Sequence, residues 1–331
     1  RKALALLADE GLLLRQKGRG TFVAGEPGTS QNQGLVFYIG TYEDHFFGDL
    51  FKAVSRESQQ RHFRASAFDL TAGGVTAGAV AGLRRDLTRA TGIVCIQNQW
   101  PQLQEVLPPE APRPVLVDLH SLKTDACCHQ VGADRFRAGE LATEHLLDLG
   151  HERIVCIGVW PAPDSAADYP EPVFDNQVYK GYRTCLLAHG IQEHRALGTY
   201  GGIDEKTITK FTDYLAGLGD WPTAVLCDAD YFGVIVSHAA ARLGKSIPGD
   251  LSVVCVGNTP WSTATPPGLT SVYLGENEIA GLAVQLCTEP APKRRTQYCV
   301  APVLVRRASS RASWISPIGI RRAEPPTSRS R

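Results

Sequence analysis

The feature that most constrains the fold is the alternation of short apolar runs with helical stretches from residue 34 onward. The apolar runs are rich in Val and Ile, residues that favour β-strands. Strands of this composition separated by helices are typical of parallel sheets that carry helices on both faces. We predict strands at Leu35–Ile39, Phe63–Phe68, Gly92–Ile96, Pro114–Leu119, Ile154–Gly158, Ala196–Gly201, Ala224–Asp228, Ser252–Val256 and Ser271–Leu274.

Helical stretches separate these strands. About nine strands are too many for one small α/β domain, and they suit two α/β lobes that each have their own sheet. The predicted fold class is therefore α/β, with two lobes of parallel strands covered by helices. The predicted helices are Asp49–Arg61, Ala138–Leu149, Tyr179–His189, Ile203–Gly217, Tyr231–Leu243 and Glu276–Cys287.

Composition and the start of the chain favour a cytoplasmic protein. Of the 331 residues, 43% are hydrophobic and 21% are charged, which is typical of globular proteins. The apolar runs fall short of the roughly 18 residues that a membrane-spanning helix needs. The start, RKALALLADEGLLL, is interrupted by Asp9 and Glu10 and lacks the cleavage site of a signal peptide. We therefore expect the protein to stay in the cytoplasm.

The nine cysteines indicate packing rather than metal or redox chemistry. Cys95, Cys156, Cys227 and Cys255 each lie inside an apolar run, where a free thiol packs as a small hydrophobic group. No CxxC pair occurs, and we expect the CCH cluster at residues 127–129 to be an ordinary strand or loop. We find no GxSxG, GxxxxGK[ST] or HExxH motif. The sequence therefore predicts no metal, no cofactor and no catalytic function.

Positive charge is concentrated at the two ends of a chain whose formal net charge is zero. Residues 1–20 carry five Lys or Arg against two Asp or Glu, and residues 305–331 carry seven Arg against one Glu. The body between them is therefore acidic. A basic end joined to an acidic body is informative about the partners that the protein binds. Residues 310–331 are rich in Ser, Arg and Pro and lack periodicity, so we predict a disordered tail.

The basic stretch RQKGRGTFVAG at residues 15–25 predicts a β-hairpin. Leu12–Arg15 and Thr21–Ala24 can pair, and the glycines between them allow the positive φ of a tight turn. Cations at an exposed tip suit a phosphate backbone or a minor groove better than a core. A solvated basic hairpin without a partner is the alternative. The cations concerned are Arg15, Lys17 and Arg19.

The longer segment RKALALLADEGLLLRQKGRGTFVAG resembles the end of a GntR-type winged helix-turn-helix, with its E-G-L turn and G-R-G-T-F wing. The resemblance implies that residues 1–24 are the C-terminal part of a DNA-binding domain, which residues 25–33 link to the rest. It also implies helices upstream of this chain, in line with the absence of Met, so we expect the chain alone to bind DNA poorly. The implied DNA-binding residues are Arg1, Lys2, Arg15, Lys17, Gly18, Arg19, Gly20 and Thr21.

Five segments of the body carry a second resemblance, and they include GHERI, IPGDLSVV and PPGLTSV. They are Asp134–Gly158, Tyr179–Ile191, Pro222–Asn258, Pro266–Ala283 and Pro302–Ser309. Through them, residues 34–309 resemble the effector-binding domain of the LacI/GalR family, which has a two-lobed periplasmic-binding-protein-like fold. The resemblance implies one lobe at about 34–158 and 273–292, and a second lobe at about 159–272 and 293–309.

Ligands of two-lobed α/β folds bind where the carboxyl ends of strands from the two lobes face each other. Polar and aromatic residues follow several predicted strands at that edge. Phe46 and Phe47 fall where the family often places ring-stacking side chains, and Asp134 matches its cleft aspartate. For each residue a capping or surface role is the alternative. The predicted effector-binding residues are Tyr42, Phe46, Phe47, Gln97, Asn98, Asp134, Trp160, Asn176, Asp230, Asn258 and Trp261.

Three positions depart from the LacI/GalR pattern. Val178 replaces the family's usual Arg, Ala229 its Asn and Gly257 its Asp. Charged bidentate contacts to a ligand are thereby lost, while aromatic and amide groups remain. This combination suits a neutral polar ligand such as a carbohydrate, and it suits equally a domain that has lost or changed its effector.

Together the two resemblances imply a ligand-responsive transcription factor. Its expected partners are a double-stranded DNA operator, a small carbohydrate-like effector and a second copy of the chain in a symmetric dimer. No membrane partner is expected. A solute-binding protein of the transport type is the alternative, because its lobes would look the same, but it needs an export signal in place of a DNA-binding domain.

Overall fold

The computed structural model contains two six-stranded sheets and a two-stranded sheet near the N-terminus. It describes residues 13–16, 20–23, 34–40, 45–70, 76–118, 128–158, 176–192, 197–198, 203–264, 266–289 and 296–313. The strands are β1 (Leu13–Gln16), β2 (Gly20–Val23), β3 (Leu35–Ile39), β4 (Arg64–Phe68), β5 (Gly92–Ile96), β6 (Val115–Asp118), β7 (His129–Ala133), β8 (Ile154–Gly158), β9 (Leu197–Gly198), β10 (Ala224–Cys227), β11 (Ser252–Gly257), β12 (Thr270–Tyr273), β13 (Gln297–Val300) and β14 (Val303–Val305).

Helices lie between most of these strands along the chain. The helices are α1 (His45–Gln60), α2 (Ala77–Thr88), α3 (Trp100–Val106), α4 (Arg135–Asp148), α5 (Gln177–Ala188), α6 (Glu205–Ala216), α7 (Asp230–Arg242), α8 (Trp261–Ala264) and α9 (Glu276–Thr288). Helices α1 and α9 pack together and against the first six-stranded sheet, while α4 and α7 pack against the second.

The first sheet has the strand order β13-β7-β6-β5-β3-β4 and is parallel throughout. Successive residues of β3 enter different hydrophobic clusters, because side chains alternate between the faces of a sheet. Val36 and Tyr38 join one cluster, and Phe37 and Ile39 join another. Both faces of this sheet are therefore buried, as the sequence predicts.

The second sheet has the strand order β14-β12-β11-β10-β8-β9. Its pairs are parallel except that β14 runs antiparallel to β12. Strand β8 repeats the alternation, with Ile154 and Cys156 in one cluster and Val155 and Ile157 in another. The predicted class, a two-lobed α/β fold with parallel sheets and helices on both faces, is confirmed.

The chain passes from one lobe to the other at three places, which lie side by side at one edge of the two sheets: between β7 and α4, between β12 and α9, and between β13 and β14. Two strands therefore belong to the other lobe than predicted. Strand β8 pairs in the second sheet, and β13 pairs in the first. Sequence cannot place such crossings, because every strand–helix unit has the same hydrophobic pattern and only tertiary pairing assigns it to a sheet.

The sequence analysis did not predict several strands and helices, because their local sequence signals are weak. Strand β7 begins with His129 and Gln130, which interrupt the apolar signal. Helix α2 contains Gly78 and Gly82, which weaken a helical pattern, and its core contacts are Leu83 and Leu87. The helix nevertheless starts at a side-chain cap, since the Thr76 hydroxyl accepts the backbone N–H of Ala79 at 3.2 Å.

The predicted N-terminal hairpin is present in the backbone. Strands β1 and β2 pair antiparallel, from Leu13 opposite Val23 to Gln16 opposite Gly20. Arg1, Lys2, Lys17, Gly18 and Arg19 lie outside the described residues. The winged helix-turn-helix therefore stays a prediction.

The predicted tail begins too early, because residues 310–313 are packed on the second lobe. The Arg311 N–H donates to the Ser252 hydroxyl at 3.1 Å, and the Ser313 N–H donates to the Leu149 carbonyl at 2.7 Å. A ring nitrogen of His151 lies 2.9 Å from the Arg311 carbonyl. Burial lowers the pKa of His151 to about 4, so the ring is neutral near pH 7.

The cysteines and the helices of the described residues bear on two predictions from composition. The cysteines found there are free thiols, and Cys95, Cys156, Cys227 and Cys255 are buried, which confirms that they pack as hydrophobic groups. Within the same ranges, none of the helices has the length and apolar character needed to cross a bilayer.

Candidate ligand-binding cleft

Polar side chains follow the carboxyl ends of the strands of the second sheet. Asp228 comes directly after β10 and is 5% exposed. One oxygen of its carboxylate accepts a hydrogen bond from the Asn176 amide at 2.8 Å. The Asn176 side-chain oxygen in turn accepts the Tyr179 N–H at 3.0 Å, so this residue caps α5 and also holds Asp228.

Asp230, at the start of α7, is buried and fully engaged with its neighbours. Its Oδ2 accepts from the Thr259 N–H at 2.6 Å and from the Thr259 hydroxyl at 2.8 Å. Its Oδ1 accepts from the Ser271 hydroxyl. Burial raises the pKa of Asp230, while these hydrogen bonds and the charge of Arg307 act in the opposite direction. The contacts give Asp230 a positioning role, because they fasten the loop after β11 to α7 and β12.

Gly257 stands where the LacI/GalR pattern has Asp, and the geometry explains why a side chain is missing. Its φ of 128° lies in the region that favours glycine. A Cβ atom there would lie 3.1 Å from Asp230 Oδ2. The next residue, Asn258, donates its N–H to the Ser271 hydroxyl at 2.9 Å and accepts from the Arg307 guanidinium at 2.6 Å. Asp230 and Arg307 thus fix the loop from two sides.

Glu276 lies at the crossing from β12 to α9 and differs from Asp230 and Asn258. Its side chain is 7% exposed, and its Oε2 is buried with no hydrogen-bond partner among the described residues. Burial, together with the nearby carboxylates of Asp49, Asp230 and Glu278, raises the pKa of Glu276 to about 7. The hydrogen bond from its own backbone N–H acts against this shift. Glu276 is therefore a buried acid close to carboxylates of both lobes.

A pocket of about 590 Å³ lies between α1 of the first lobe and the edge of the second. Its rim carries two cations that are already engaged. Lys52 Nζ is 2.7 Å from Asp49 Oδ1, and Arg56 Nη2 donates to Asn277 Oδ1 at 2.7 Å. The lining residues are Asp49, Phe51, Lys52, Ser55, Arg56, Gln59, Asn258, Tyr273, Glu276 and Asn277.

The predicted aromatic residues of the first lobe sit at the start of α1. The rings of Phe46 and Phe47 meet edge to face, with centroids 5.8 Å apart and planes at 87°. Phe46 is buried in the hydrophobic core, whereas Phe47 is half-buried and packs against that core. The contacts of Phe46 are those of a packing residue, so Phe47 is the better candidate for contact with a ligand.

The turn after β5 contains two predicted residues and one that the sequence did not single out. Gln97 is half-buried and Asn98 is exposed. Gln99 is buried, donates to the Asp69 carboxylate and accepts the Leu70 N–H at 2.9 Å. Gln99 therefore fastens the loop after β4 to the turn after β5 and supports the edge of the first sheet.

The remaining predicted residues take supporting roles or lie outside the described residues. Asp134 caps α4 by accepting the Arg137 N–H at 2.8 Å, and its own N–H donates to the Val300 carbonyl at 3.1 Å. Trp261 is half-buried against the core of the second lobe. Tyr42 and Trp160 fall outside the described residues. Asn176, Asp230 and Asn258 thus gather at the edge of the second sheet, and Asn258 reaches the pocket.

Sequence reasoning missed Asp228, Glu276 and Asp49. Asp228 is the last residue of the predicted strand Ala224–Asp228, and Glu276 follows the predicted strand Ser271–Leu274 by two positions. The rule that ligands gather at strand carboxyl ends points to both residues. Among the residues that the structure describes, no group of three or more His, Cys, Asp or Glu is arranged to hold a metal ion. The absence of a metal or cofactor stays a prediction.

Two α/β lobes joined by three neighbouring crossings, with a polar pocket between them, define a two-lobed protein of the periplasmic-binding-protein type. Residues 143–310 match the periplasmic binding protein-like domain, and the chain belongs to that family.

The curated relatives of this chain include transcriptional regulators. It is 26% identical over 180 residues to catabolite control protein A of Priestia megaterium, an alignment that covers 54% of this chain and 52% of that protein. It is 28% identical over 290 residues to the HTH-type transcriptional regulator GalR of Escherichia coli K12, covering 85% of this chain and 79% of that protein. The chain spans about half the length of the first of these relatives.

The solved structures share the fold. One is a LacI family transcriptional regulator from Enterococcus faecium with bound ribose. It superposes with a TM-score of 0.66 at 19% identity, covering 84% of this chain and 99% of that chain. At this identity the likeness shows the fold alone.

Proposed function

We propose that this chain is a ligand-responsive transcriptional regulator that binds a small polar molecule between its two lobes. The observation that carries the proposal is the pocket of about 590 Å³, which both lobes line. Its volume lies in the range of about 300–1,000 Å³ found for small-molecule sites. A ligand that contacts both lobes binds the closed arrangement better than an open one, and this differential affinity shifts the equilibrium between them.

The relatives support the same proposal. GalR is a transcriptional regulator by name, and the Enterococcus faecium regulator holds ribose. Ser55, Asn258 and Tyr273 line the pocket here and offer hydroxyl and amide groups to a polyol. We therefore infer a carbohydrate-sized ligand and assign the chain no catalytic role.

We further propose that β1 and β2 form the wing of a GntR-type winged helix-turn-helix. The antiparallel pairing of the two strands supports a hairpin whose connecting residues 17–19 are Lys, Gly and Arg. One such domain binds an operator weakly, so we infer a homodimer on a palindromic DNA site in the cytoplasm. Ligand-driven motion of the lobes would then alter the spacing of the paired wings.

A paired screen tests the regulator function. A sugar that binds the chain should raise its melting temperature by mass action and should also change its weak affinity for duplex DNA, measured by fluorescence anisotropy at low salt. A sugar that raises the melting temperature without any effect on DNA binding would favour the solute-binding alternative. A neutral and amino sugar library that gives no shift at all would contradict ligand sensing.

Replacement of Arg19 by Ala tests the wing. We expect weaker binding to duplex DNA of any sequence and a salt dependence whose slope falls by about one, because one phosphate contact is lost. Arg84→Ala is the matched control, since Arg84 is an exposed cation on α2 in the first lobe. An unchanged salt slope in Arg19→Ala would count against contact between the wing and DNA.

A further inference from the structure

One residue that lines the pocket between the lobes has a carboxyl oxygen that no described group satisfies. Glu276 is more than nine-tenths buried, lines the pocket, and has its Oε2 without a hydrogen-bond partner in the described ranges. Leaving a buried acceptor unsatisfied is energetically unfavourable, and more so for a charged group. A ligand that places a donor against this oxygen recovers that energy.

The charges around Glu276 decide which donor suits it. Asp49 on α1, Asp230 on α7 and Glu278 on α9 all act on Glu276 as like charges. These carboxylates come from both lobes, so closing the lobes on a neutral ligand leaves the negative charge uncompensated. A protonated amine supplies the hydrogen bond and the opposite charge together.

Among the described residues, the cations nearest the pocket do not meet this need. Lys52 is paired with Asp49, and Arg56 donates to Asn277. Both are exposed, so solvent screens their charges. Arg307 is committed to the Asn258 side chain and the Leu269 carbonyl.

We propose that the ligand of this pocket presents a protonated amine to Glu276 Oε2, as an amino sugar does, while its hydroxyl groups face Ser55, Asn258 and Tyr273. This inference rests on the proposed function and narrows its ligand class. The sequence predicts a neutral polar ligand, and the buried carboxyl group adds a positive charge to that description.

The test is calorimetric titration of the full 331-residue chain with three matched pairs: glucosamine and glucose, galactosamine and galactose, mannosamine and mannose. We expect at least one amine to bind about tenfold more tightly than its neutral partner, the effect of one charge-assisted hydrogen bond. Glu276→Gln should abolish that preference. Glu105→Gln is the control, because Glu105 is an exposed glutamate of α3 in the first lobe that neither lines the pocket nor is among the carboxylates that act on Glu276; it should keep the preference.

The outcomes separate this inference from the function on which it rests. Equal or tighter binding of the neutral sugars overturns the amine inference and leaves a ligand-responsive regulator standing. A preference for amines that survives in Glu276→Gln also overturns it, since the amine then binds elsewhere. If none of the six sugars binds, the amino-sugar inference fails, and DNA binding then judges the regulator separately. Circular dichroism of each variant checks that it is folded.

Discussion

Asp230 and Glu276 are two carboxylates at the same edge of the second lobe, and both are buried. Asp230 accepts three hydrogen bonds from Thr259 and Ser271, whereas Glu276 keeps one oxygen without a partner among the described groups. Burial alone therefore does not tell a structural acid from a ligand-facing one. The number of hydrogen-bond donors around each carboxylate distinguishes the two, because a carboxylate whose oxygens are hydrogen-bonded stabilises the fold and an unsatisfied one favours a bound partner.

The largest expected effect is the loss of the satisfied carboxylate. Asp230→Ala leaves the Thr259 N–H and the Ser271 hydroxyl without their acceptor in a buried site. We expect the free energy of unfolding to fall by about 3 kcal/mol, measured by urea denaturation at pH 7. Asp230→Asn is the milder control, since its amide oxygen can still accept. A loss below about 1 kcal/mol in Asp230→Ala would contradict a structural role for Asp230.

Glu276→Gln should have the opposite effect on stability and make the protein harder to unfold at pH 8. Burial, with the carboxylates of Asp49, Asp230 and Glu278, raises the pKa of Glu276 to about 7 from 4.5. The folded chain thus keeps this proton between pH 4.5 and 7 while the unfolded chain releases it, so stability falls as the pH rises through that window and levels off above it.

The glutamine variant lacks this loss. It should be more stable than the wild type at pH 8, by up to about 3 kcal/mol, and equal to it near pH 4. Urea denaturation at both pH values measures the difference. The exposed Lys52 and Arg56 are present in both proteins and cancel in the comparison. If the free energies of unfolding of the two proteins changed in parallel with pH, the pKa of Glu276 would not be raised in the folded chain.

Gly257→Ala should lower stability by a smaller amount, at the loop that Asp230 holds in place. Its φ of 128° is unfavourable for a side chain, and the added Cβ would lie 3.1 Å from Asp230 Oδ2. We expect a loss of about 2 kcal/mol in thermal or urea unfolding. Gly219→Ala is the control, because a Cβ at Gly219 meets no atom within 4 Å. Equal stability of the two variants would contradict the crowding at Gly257.

The sequence predicts the fold class because the Val- and Ile-rich runs report the burial of both sheet faces directly. It predicts the hairpin for a similar local reason, the pairing of two short strands across glycines. It does not assign β8 and β13 to their sheets, because that choice depends on pairing between distant segments. The rule that ligands bind at strand carboxyl ends selects Asp230, and it also points to Glu276, which the predicted site residues do not include.

The different roles of Asp230 and Glu276 are beyond the sequence. The donors to Asp230 lie 29 and 41 residues away along the chain, and no local pattern brings Thr259 and Ser271 to it. The isolation of Glu276 is likewise a property of the assembled crossing, where α1 and α7 bring carboxylates rather than donors. Sequence patterns report which residues are buried far better than which partners they find.

The most direct measurement of the central claim is a crystal structure of the chain grown with the amino sugar that binds most tightly. The account predicts the sugar in the pocket between α1 and α9, with its amine nitrogen roughly 3 Å from Glu276 Oε2. A sugar bound outside this pocket, or bound within it with its amine turned away from Glu276, would contradict the account.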